Sequence, residues 1–197
     1  CIAVENECGV NQSCLEVLII SMPVPNAGSD DSICGLSYTL NGSGGAGLIE
    51  WSQISGPGNA VFADLNSFNT AVDVSLAGDY VFELMIDDGG CIEYDEVEIQ
   101  FNPIPFLGAV TDAVCDDVVS NYTITIEVLS GTAPFVASGL GGTWSGNIFS
   151  SDPIPTGASY SVDIVDANNC GAISVTGDHT CPCISESGTY VFDQLEL

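Results

Sequence analysis

Two stretches of the sequence repeat one pattern. The first is Gly78-Asp-Tyr-Val-Phe-Glu-Leu-Met-Ile-Asp-Asp-Gly-Gly-Cys91, and the second is Gly157-Ala-Ser-Tyr-Ser-Val-Asp-Ile-Val-Asp-Ala-Asn-Asn-Cys170. In both, apolar residues alternate with other residues, and the run ends in a turn followed by a cysteine. Alternation with a period of two predicts a half-buried β-strand, and Gly and Asn clusters predict turns. The sequence therefore predicts the same strand and hairpin in two repeated units.

The repeat extends upstream of these stretches. Trp51 corresponds to Trp144, and Cys34 corresponds to Cys115, so each unit has the order Cys, Trp, Cys over about 80 residues. No window of useful length has helical periodicity. Short strands separated by turn-forming residues, in a repeated order, predict an all-β chain of tandem antiparallel β-sandwich modules. Because both tryptophans recur at one place in the repeat, we expect them in the core rather than on a sugar-stacking platform.

The repeat also predicts where the modules begin and end. Pro23-Val-Pro25 and Pro103-Ile-Pro105 fall at module junctions, where Pro-x-Pro favours a stiff, extended linker. Glu5-Asn-Glu-Cys8-Gly9 repeats the pattern around Cys170, so the chain is expected to begin inside a module of a longer protein. The predicted units are the last hairpin of a preceding module (1–22), two β-sandwiches (23–103 and 104–183), and the start of a further module or a terminal strand (184–197).

The charge of the chain is one-sided. It has 27 Asp and Glu residues, no Lys or Arg and one His, which gives a formal charge of −27. Duplex nucleic acids need cationic side chains on the protein, and so does a polybasic membrane anchor, so both kinds of partner are excluded. No direct membrane insertion is expected. A charge of this size repels itself and is screened by salt or divalent cations. It suits a salty, calcium-containing exterior, or it only keeps a long filament soluble.

Calcium is the predicted cofactor, because Ca²⁺ takes six to eight oxygen ligands from carboxylates and carbonyls. Acidic residues cluster at a junction, at a hairpin and at the start of the next module. The candidate ligands are Asp30, Asp31, Asp87, Asp88, Asp112, Asp116 and Asp117. The alternative is a solvated acidic surface.

The junction residues carry a family resemblance. Met22-Pro-Val-Pro-Asn-Ala-Gly-Ser-Asp-Asp-Ser-Ile-Cys34-Gly, followed by Trp51-Ser-Gln-Ile-Ser-Gly-Pro-Gly58, resembles the PKD-like and Ig-like repeats of giant Bacteroidota cell-surface proteins. Ser159-Tyr-Ser-Val-Asp-Ile-Val-Asp-Ala-Asn-Asn-Cys170-Gly is similar to repeats of gliding adhesins of that phylum. The resemblance implies Ig-like or PKD-like sandwiches, export by type IX secretion, and a role in gliding, adhesion or prey capture. It implies no catalytic residues.

Nine cysteines indicate an oxidising compartment, which suits an extracellular protein. The resemblance implies attachment at the cell surface. We predict the disulfides Cys34–Cys91 and Cys115–Cys170. Each would close a loop of about 55 residues and contribute roughly 4 kcal/mol in the chain-entropy model. Each would join a cysteine near the first strand to one at a hairpin, broadly as in the immunoglobulin inter-sheet bridge.

The other cysteines have no single predicted pairing. Cys1 and Cys14 lie on either side of a turn and could bridge a hairpin. The partners of Cys8, Cys181 and Cys183 stay open, and leftover cysteines could link modules or chains.

Candidate catalytic residues are scarce. His179-Thr-Cys181-Pro-Cys183 has zinc-ligand residue types, but an exposed histidine beside disulfide cysteines fits an oxidising compartment better. His179 would have to serve any Ser-His-Asp or Cys-His arrangement alone, and no Gly-x-Ser-x-Gly elbow occurs. We therefore expect no enzyme activity.

The predicted function is that of a structural repeat segment in a large secreted cell-surface adhesin or filament. The expected partners are other modules of the same long chain, with a homo-oligomer or filament as a further state. The alternative is a module that binds glycans or a cell surface through its loops. Exposed aromatic side chains on loops would favour binding, whereas buried Trp51 and Trp144, with Tyr80 and Tyr160 in core or corner positions, would favour the structural role.

Overall fold

A computed structural model describes residues 2–6, 8–13, 22–116 and 120–182 of the chain. The predicted segment 184–197 lies outside these residues. Among the described residues there is no helix of the length and apolarity that a membrane crossing requires. The strands, in chain order, are β1 (Ile2–Asn6), β2 (Gly9–Ser13), β3 (Asp31–Cys34), β4 (Ser37–Asn41), β5 (Leu48–Ser55), β6 (Ala60–Phe62), β7 (Asn69–Val74), β8 (Gly78–Asp88), β9 (Cys91–Asn102), β10 (Phe106–Cys115), β11 (Asn121–Ser130), β12 (Val136–Ser138), β13 (Gly142–Ser145), β14 (Ile148–Ser151), β15 (Ile154–Pro155), β16 (Ser159–Val165) and β17 (Ala172–Asp178).

Strands β3 to β9 form the first sandwich. One sheet has the order β3-β9-β8-β5 and the other has the order β4-β7-β6. The neighbouring strands are antiparallel except for β3, which runs parallel to the end of β9, so that Cys34 lies opposite Asn102. The incoming chain first bridges Asn26 to Ser43 beside the second sheet and then crosses to the first sheet as β3. This crossing places β3, with Cys34 at its end, at the end of the sandwich where β9 finishes.

Strands β10 to β17 form the second sandwich with a different strand order. One sheet has the order β10-β11-β14-β13, with β15 also paired to β11, and the other has the order β12-β16-β17. The hydrophobic cores of the two sandwiches are separate, and they fall within the predicted modules 23–103 and 104–183. The all-β prediction is confirmed, while the exact module boundaries stay predictions.

The repeated stretches form the strands that their alternation predicts. Tyr80, Phe82, Leu84 and Ile86 on β8 all point into the first core and are fully buried, while the residues between them face outward. Burial of each such side chain contributes about 1.5–3 kcal/mol. The turn after β8 is Gly89-Gly90, and both glycines have positive φ, which a two-residue hairpin of the I′ type requires. In the second sandwich, β16 and β17 form the corresponding hairpin with a longer loop, residues 166–171.

The predicted equivalence of the two tryptophans is wrong. Trp51 lies on β5, beside β8 in the sheet that carries the hairpin, whereas Trp144 lies on β13 in the sheet opposite the hairpin. The order of residues along the chain does not specify which sheet a strand joins. Trp51 is buried, and its Nε1–H donates to the Ser67 carbonyl at 3.0 Å. Trp144 is partly exposed and packs between Phe135 and Phe149, so both rings contribute to a core as expected.

The tyrosines divide in a similar way. Tyr80 is fully buried, and its hydroxyl donates to the Leu76 carbonyl at 2.9 Å, just upstream of β8. This is the tyrosine corner of immunoglobulin-like sandwiches. In the second sandwich the comparable bond comes from another strand. There the hydroxyl of Tyr122, on β11, donates to the Ala158 carbonyl at 2.5 Å. Tyr160 is only partly buried and packs against the second core.

Tyr80→Phe removes the corner hydrogen bond and leaves the core shape unchanged. We expect the free energy of unfolding of the first sandwich to fall by about 1 kcal/mol, the usual net contribution of such a bond. The measurement is urea denaturation of the variant beside the parent chain. Tyr94→Phe is the matched control, since Tyr94 is 55% exposed on β9 and its loss should be near neutral. Equal stability of Tyr80→Phe and the parent would contradict a role for the corner bond.

Candidate functional site

A disulfide joins the two sandwiches. Cys34, at the end of β3 in the first sandwich, bonds to Cys170, in the β16–β17 loop of the second, with Cα atoms 5.2 Å apart and a sequence separation of 136. The predicted pair Cys34–Cys91 is therefore wrong. Cys34 lies opposite Asn102 at the end of β9, and Cys91 is the first residue of the same strand. At about 3.3 Å per residue the two cysteines lie about 35 Å apart, whereas a disulfide needs Cα atoms within about 7 Å.

The predicted pair Cys115–Cys170 is wrong for the same physical reason. Strand β10 leaves the junction at Phe106 and reaches the far end of the second sandwich at Cys115, while Cys170 stays at the junction. Strand β17 also runs to the far end, where Cys181 follows it. Cys115 bonds to Cys181 there, with Cα atoms 5.8 Å apart.

The remaining predicted cysteine pair cannot be compared. Cys1 and Cys14 lie outside the described residues, as does Cys183, and the Cys1–Cys14 bridge stays a prediction. Cys91 has no disulfide partner in the described part of the chain, and its side chain is half-buried.

A side-chain amide pair lies beside the intermodule disulfide. The Nδ2–H of Asn168 donates to Oδ1 of Asn102 at 2.6 Å. The Nδ2–H of Asn102 in turn donates to the Ser32 hydroxyl at 2.9 Å and to the Ile33 carbonyl at 3.0 Å. Asn102 is buried, and its orientation is set by the first sandwich, so its oxygen is held towards the second. The junction therefore has a directional hydrogen bond as well as a covalent one.

Asp166 holds the loop that presents Cys170. Its carboxylate is only 3% exposed; Oδ1 accepts the Cys170 N–H at 2.8 Å, and Oδ2 accepts the Thr132 N–H at 3.0 Å. The Ala167 N–H adds a bond to the Thr132 carbonyl at 2.9 Å. Hydrogen bonds to a charged acceptor are stronger than neutral ones, which matters here because no basic side chain is present to pair with Asp166. The loop is thus fixed before it reaches the neighbouring sandwich.

These contacts join the sandwiches at more than one point. The chain itself passes from one to the other through Pro103-Ile-Pro105, and the Cys34–Cys170 bond closes a second connection. Two covalent connections restrict bending and twisting far more than a single linker does. The arrangement can hold two modules in one relative orientation, which is a mechanical property and not a catalytic one.

Sequence reasoning did not identify Asn102, Asn168 or Asp166 as junction residues. The available signal was the Asp166-Ala-Asn-Asn-Cys170 segment, in which the acid precedes the cysteine by four positions. Asn and Asp are common in every turn, so their presence there did not indicate a contact between modules.

The predicted calcium ligands lie at three separate places. Asp30 and Asp31 share an open groove with Asp79 and Glu98. Oδ1 of Asp30 accepts the Glu98 N–H at 2.9 Å, and Oδ2 of Asp31 accepts the Tyr38 hydroxyl at 3.1 Å. Desolvation, with additional contributions from Asp31, raises the pKa of Tyr38 above its ordinary value. Four acidic side chains therefore line this one groove.

The other predicted ligands serve turns or lie outside the description. Oδ1 of Asp87 accepts the Gly90 N–H at 2.7 Å across the β8–β9 turn, and Asp88 lines a different groove near Met22. Asp117 is outside the described residues, and the side chain of Asp112 is not described.

The Asp116 carboxylate accepts hydrogen bonds from Asn121, the first residue of β11, and from Ser120 just before it. It accepts the Ser120 N–H at 2.8 Å, the Ser120 hydroxyl at 3.0 Å and the Asn121 Nδ2–H at 3.1 Å. Desolvation acts to raise the pKa of Asp116, but the bonds from Asn121 and Ser120 outweigh it and hold the pKa below its ordinary value. The stabilisation is therefore present above the ordinary pKa and is lost as the pH falls through the lowered one.

Among the described residues, the one group of three potential ligands with donor atoms within 4.8 Å of one another is Cys115, His179 and Cys181. Cys115 and Cys181 form a disulfide, so their sulfur atoms are not the thiolates that zinc requires. The His179 ring packs edge-on against Tyr122, whose pKa is raised chiefly by burial. The predicted acids do not form such a group within the described residues, and calcium binding stays a prediction.

Comparison with known proteins supports the fold. No protein-family model matches the chain, and no curated protein matches it. Among solved structures, the eight N-terminal Ig domains of Down Syndrome Cell Adhesion Molecule match over 90% of this chain and 30% of that chain, with a TM-score of 0.58 and 11% identity. The insect immune protein hemolin matches over 80% of this chain and 46% of that chain, with a TM-score of 0.53 and 14% identity.

A solution structure of the PKD domain from the KIAA 1837 protein also matches, over 45% of this chain and 93% of that chain, with a TM-score of 0.37 and 23% identity. The chain spans less than half the length of the Down Syndrome Cell Adhesion Molecule and hemolin structures. At these identities the likeness to the Down Syndrome Cell Adhesion Molecule and hemolin structures shows the fold alone. The chain is similar to proteins built from consecutive Ig-like sandwiches.

Asp166→Ala leaves the Cys170 and Thr132 N–H groups without an acceptor. We expect the free energy of unfolding of the second sandwich to fall by about 2 kcal/mol, as for other bonds to a charged group. The Cys34–Cys170 bond should also be reduced faster by dithiothreitol, because its loop is no longer held. Asp152→Ala is the control, since Asp152 is exposed in the same sandwich. An unchanged reduction rate would contradict the role of Asp166.

The calcium prediction is tested by distinguishing Ca²⁺ binding at a specific site from general screening of the negative charge by salt. Thermal stability should rise with NaCl, because salt screens the repulsion among 27 acids. If Asp30 and Asp31 bind Ca²⁺, then CaCl₂ should raise Tm more than MgCl₂ does at equal ionic strength. EDTA should reverse this extra rise in Tm, and the double variant Asp30→Asn/Asp31→Asn should not show it. Asp152→Asn is the control. Equal Tm in both salts, unchanged by EDTA, would exclude a specific site.

Proposed function

We propose that this chain is a structural repeat segment of a large secreted cell-surface adhesin or filament, in which consecutive Ig-like modules are covalently held in one orientation. The observation that carries the proposal is the Cys34–Cys170 disulfide between the two sandwiches. A bond within one module serves that module's own stability. A bond between modules limits their relative motion, which is useful in an arm or stalk that must keep its shape over many modules.

Three further observations support the same role. The disulfides suit an oxidising, extracellular environment. The unpaired negative charge keeps a long assembly soluble and excludes nucleic acid as a partner. The Down Syndrome Cell Adhesion Molecule and hemolin structures, which match this chain in fold, are described as a cell adhesion molecule and as an arrangement with implications for homophilic adhesion.

The finer proposal is a gliding-type Bacteroidota adhesin exported by type IX secretion. It is supported by the residues of the resemblance, including the Met22–Cys34 junction segment and the Ser159–Cys170 segment. Other modules of the same chain are the proposed partners, with a homo-oligomer or filament as a further state.

The alternative, a glycan- or surface-binding module, finds less support. Among the described residues, the most exposed aromatic side chains are Tyr94 and Phe106, and both lie on strands rather than on loops. Trp51 is buried and Trp144 packs on a core, so neither presents an open stacking surface.

The proposal is tested by removing the intermodule bond as a pair, in Cys34→Ser/Cys170→Ser. We expect both sandwiches to stay folded but to tumble independently, with shorter and unequal rotational correlation times in ¹⁵N relaxation. The parent chain should tumble as a single body. One correlation time, unchanged from the parent, would show that the disulfide does not set the orientation of the modules.

The matched control is Cys115→Ser/Cys181→Ser, which removes the disulfide inside the second sandwich. We expect it to lower the unfolding free energy of that sandwich by about 2–4 kcal/mol. The relative orientation of the modules should not change. A loss of common tumbling in this control would mean that the junction depends on the stability of the module rather than on the Cys34–Cys170 bond.

A further inference from the structure

The cysteine at the hairpin tip recurs along the chain. Cys91 follows the β8–β9 turn of the first sandwich, and Cys170 lies in the β16–β17 loop of the second. Cys8 has the same place between β1 and β2. In the second sandwich this tip faces the preceding module, because the loop lies where the linker enters. Cys170 is therefore the cysteine of its module that reaches backwards along the chain.

The β8–β9 tip has the same position relative to its own module. The Asp87 carbonyl lies next to Gly47, and Asp88 lines a groove with Met22 and Val24, the residues that enter the first sandwich. Cys34, on the edge strand, is at the other end. Each sandwich thus has an entry end with a hairpin-tip cysteine, and the first sandwich has an exit end with an edge-strand cysteine.

The two tips differ in what covers them. Cys170 is 5% exposed and bonded to Cys34 of the preceding sandwich, whereas Cys91 is half-buried with no disulfide partner among the described residues. Apolar side chains around the Cys91 end are open to solvent, including Val24 at 76% and Leu48 at 75% exposure, with Ile92 beside the cysteine itself. An apolar surface around a thiol, at the end where the second sandwich is covered by its neighbour, fits a contact with another module.

We propose that Cys91 forms an intermodule disulfide with a cysteine N-terminal to Pro23 in the same polypeptide, at the exit end of the preceding β-sandwich. The bond repeats Cys170–Cys34 one module earlier. The inference rests on the proposed function, and it extends the single observed link to a series in which each hairpin tip is joined to the edge strand of the module before it.

The chemistry of this step is thiol–disulfide exchange. Cys91 and its partner thiol lose two electrons and two protons in total, and one S–S bond forms between them. A disulfide oxidant, such as the oxidised dithiol of a secretory-pathway exchange protein, accepts these electrons and protons and becomes two thiols. No other reactant is needed.

The test is peptide mapping of the native, full-length, unreduced protein. Free thiols are first blocked with iodoacetamide, and the protein is then cut with Glu-C and Asp-N, because the absence of Lys and Arg gives trypsin no site here. Cys91 is then alone in the peptide 88–93, Cys34 in 31–50 and Cys170 in 166–177. We expect the peptide 88–93 to be linked to a peptide that lies N-terminal to Pro23, with no carbamidomethyl group on Cys91.

Two variants sharpen the assignment. Cys91→Ser should remove that link and make one upstream cysteine newly reactive towards iodoacetamide. Cys170→Ser is the matched control, because it should make Cys34 reactive in the same way. Alkylated Cys91 in the native protein would overturn the inference. So would a link from Cys91 to a second copy of the chain, seen as a dimer on a non-reducing gel.

The same map separates this inference from the proposed function. A link between peptides 31–50 and 166–177, together with alkylated Cys91, overturns only the Cys91 bond. Absence of the 31–50 to 166–177 link overturns the proposed function as well, since that link is the observation on which it depends.

Discussion

The carboxylates of this chain must find hydrogen-bond donors without help from Lys or Arg, since neither residue occurs in it. Backbone N–H groups take that role for several of the carboxylates, and side-chain hydroxyls take it for others, as Ser37 does for Asp73 and Ser174 does for Asp163. Asp95 accepts the Ala27 N–H at 2.7 Å and so fixes the segment that enters the first sandwich. Further acids hold other turns and strand edges in the same way: Asp30 with Glu98, Asp87 with Gly90, Asp116 with Ser120 and Asp166 with Cys170. Most of these bonds hold turns and connections, which are the parts of a sandwich that its core leaves least constrained.

The constraint also limits how modules can be joined. Two acidic surfaces repel each other, and a salt bridge to Lys or Arg cannot form between them. The junction instead uses neutral amides, Asn102 and Asn168, together with a covalent bond. A disulfide is insensitive to the repulsion once it has formed. One of the two disulfides among the described residues therefore lies where the modules meet, and the other lies inside the second sandwich. Each core is held by rows of buried side chains such as those on β8.

The alternation in the sequence was sufficient to predict the strands that form the cores. Tyr80, Phe82, Leu84 and Ile86 face one way because side chains on a strand alternate between two faces, and this rule is local. The predicted equivalence of Trp144 and Trp51 failed because the sheet that a strand joins is not set by its local sequence. Trp144 lies on β13, which pairs with β14 in the sheet opposite the β16–β17 hairpin. Trp51 lies on β5, which pairs with β8 in the sheet that contains the β8–β9 hairpin. Asn102, Asn168 and Asp166 were not predicted as junction residues, since the Asn168–Asn102 bond crosses between modules and Asp166 also bonds Thr132, which is distant in sequence.

The sequence by itself determined that the chain is all-β, that a hairpin strand followed by a cysteine occurs in both sandwiches, and that the chain offers no Lys or Arg to a nucleic-acid backbone. These properties follow from alternation, turn residues and charge, which act over short distances or over the whole chain. Only the tertiary structure decided which cysteines meet. Cys91 and Cys34 belong to one module, but the length of β9 keeps them about 35 Å apart, while Cys170 is brought from another module to within disulfide distance of Cys34. A disulfide depends on the distance between two Cα atoms, and that distance is set by where each strand begins, in which direction it runs and how the modules pack.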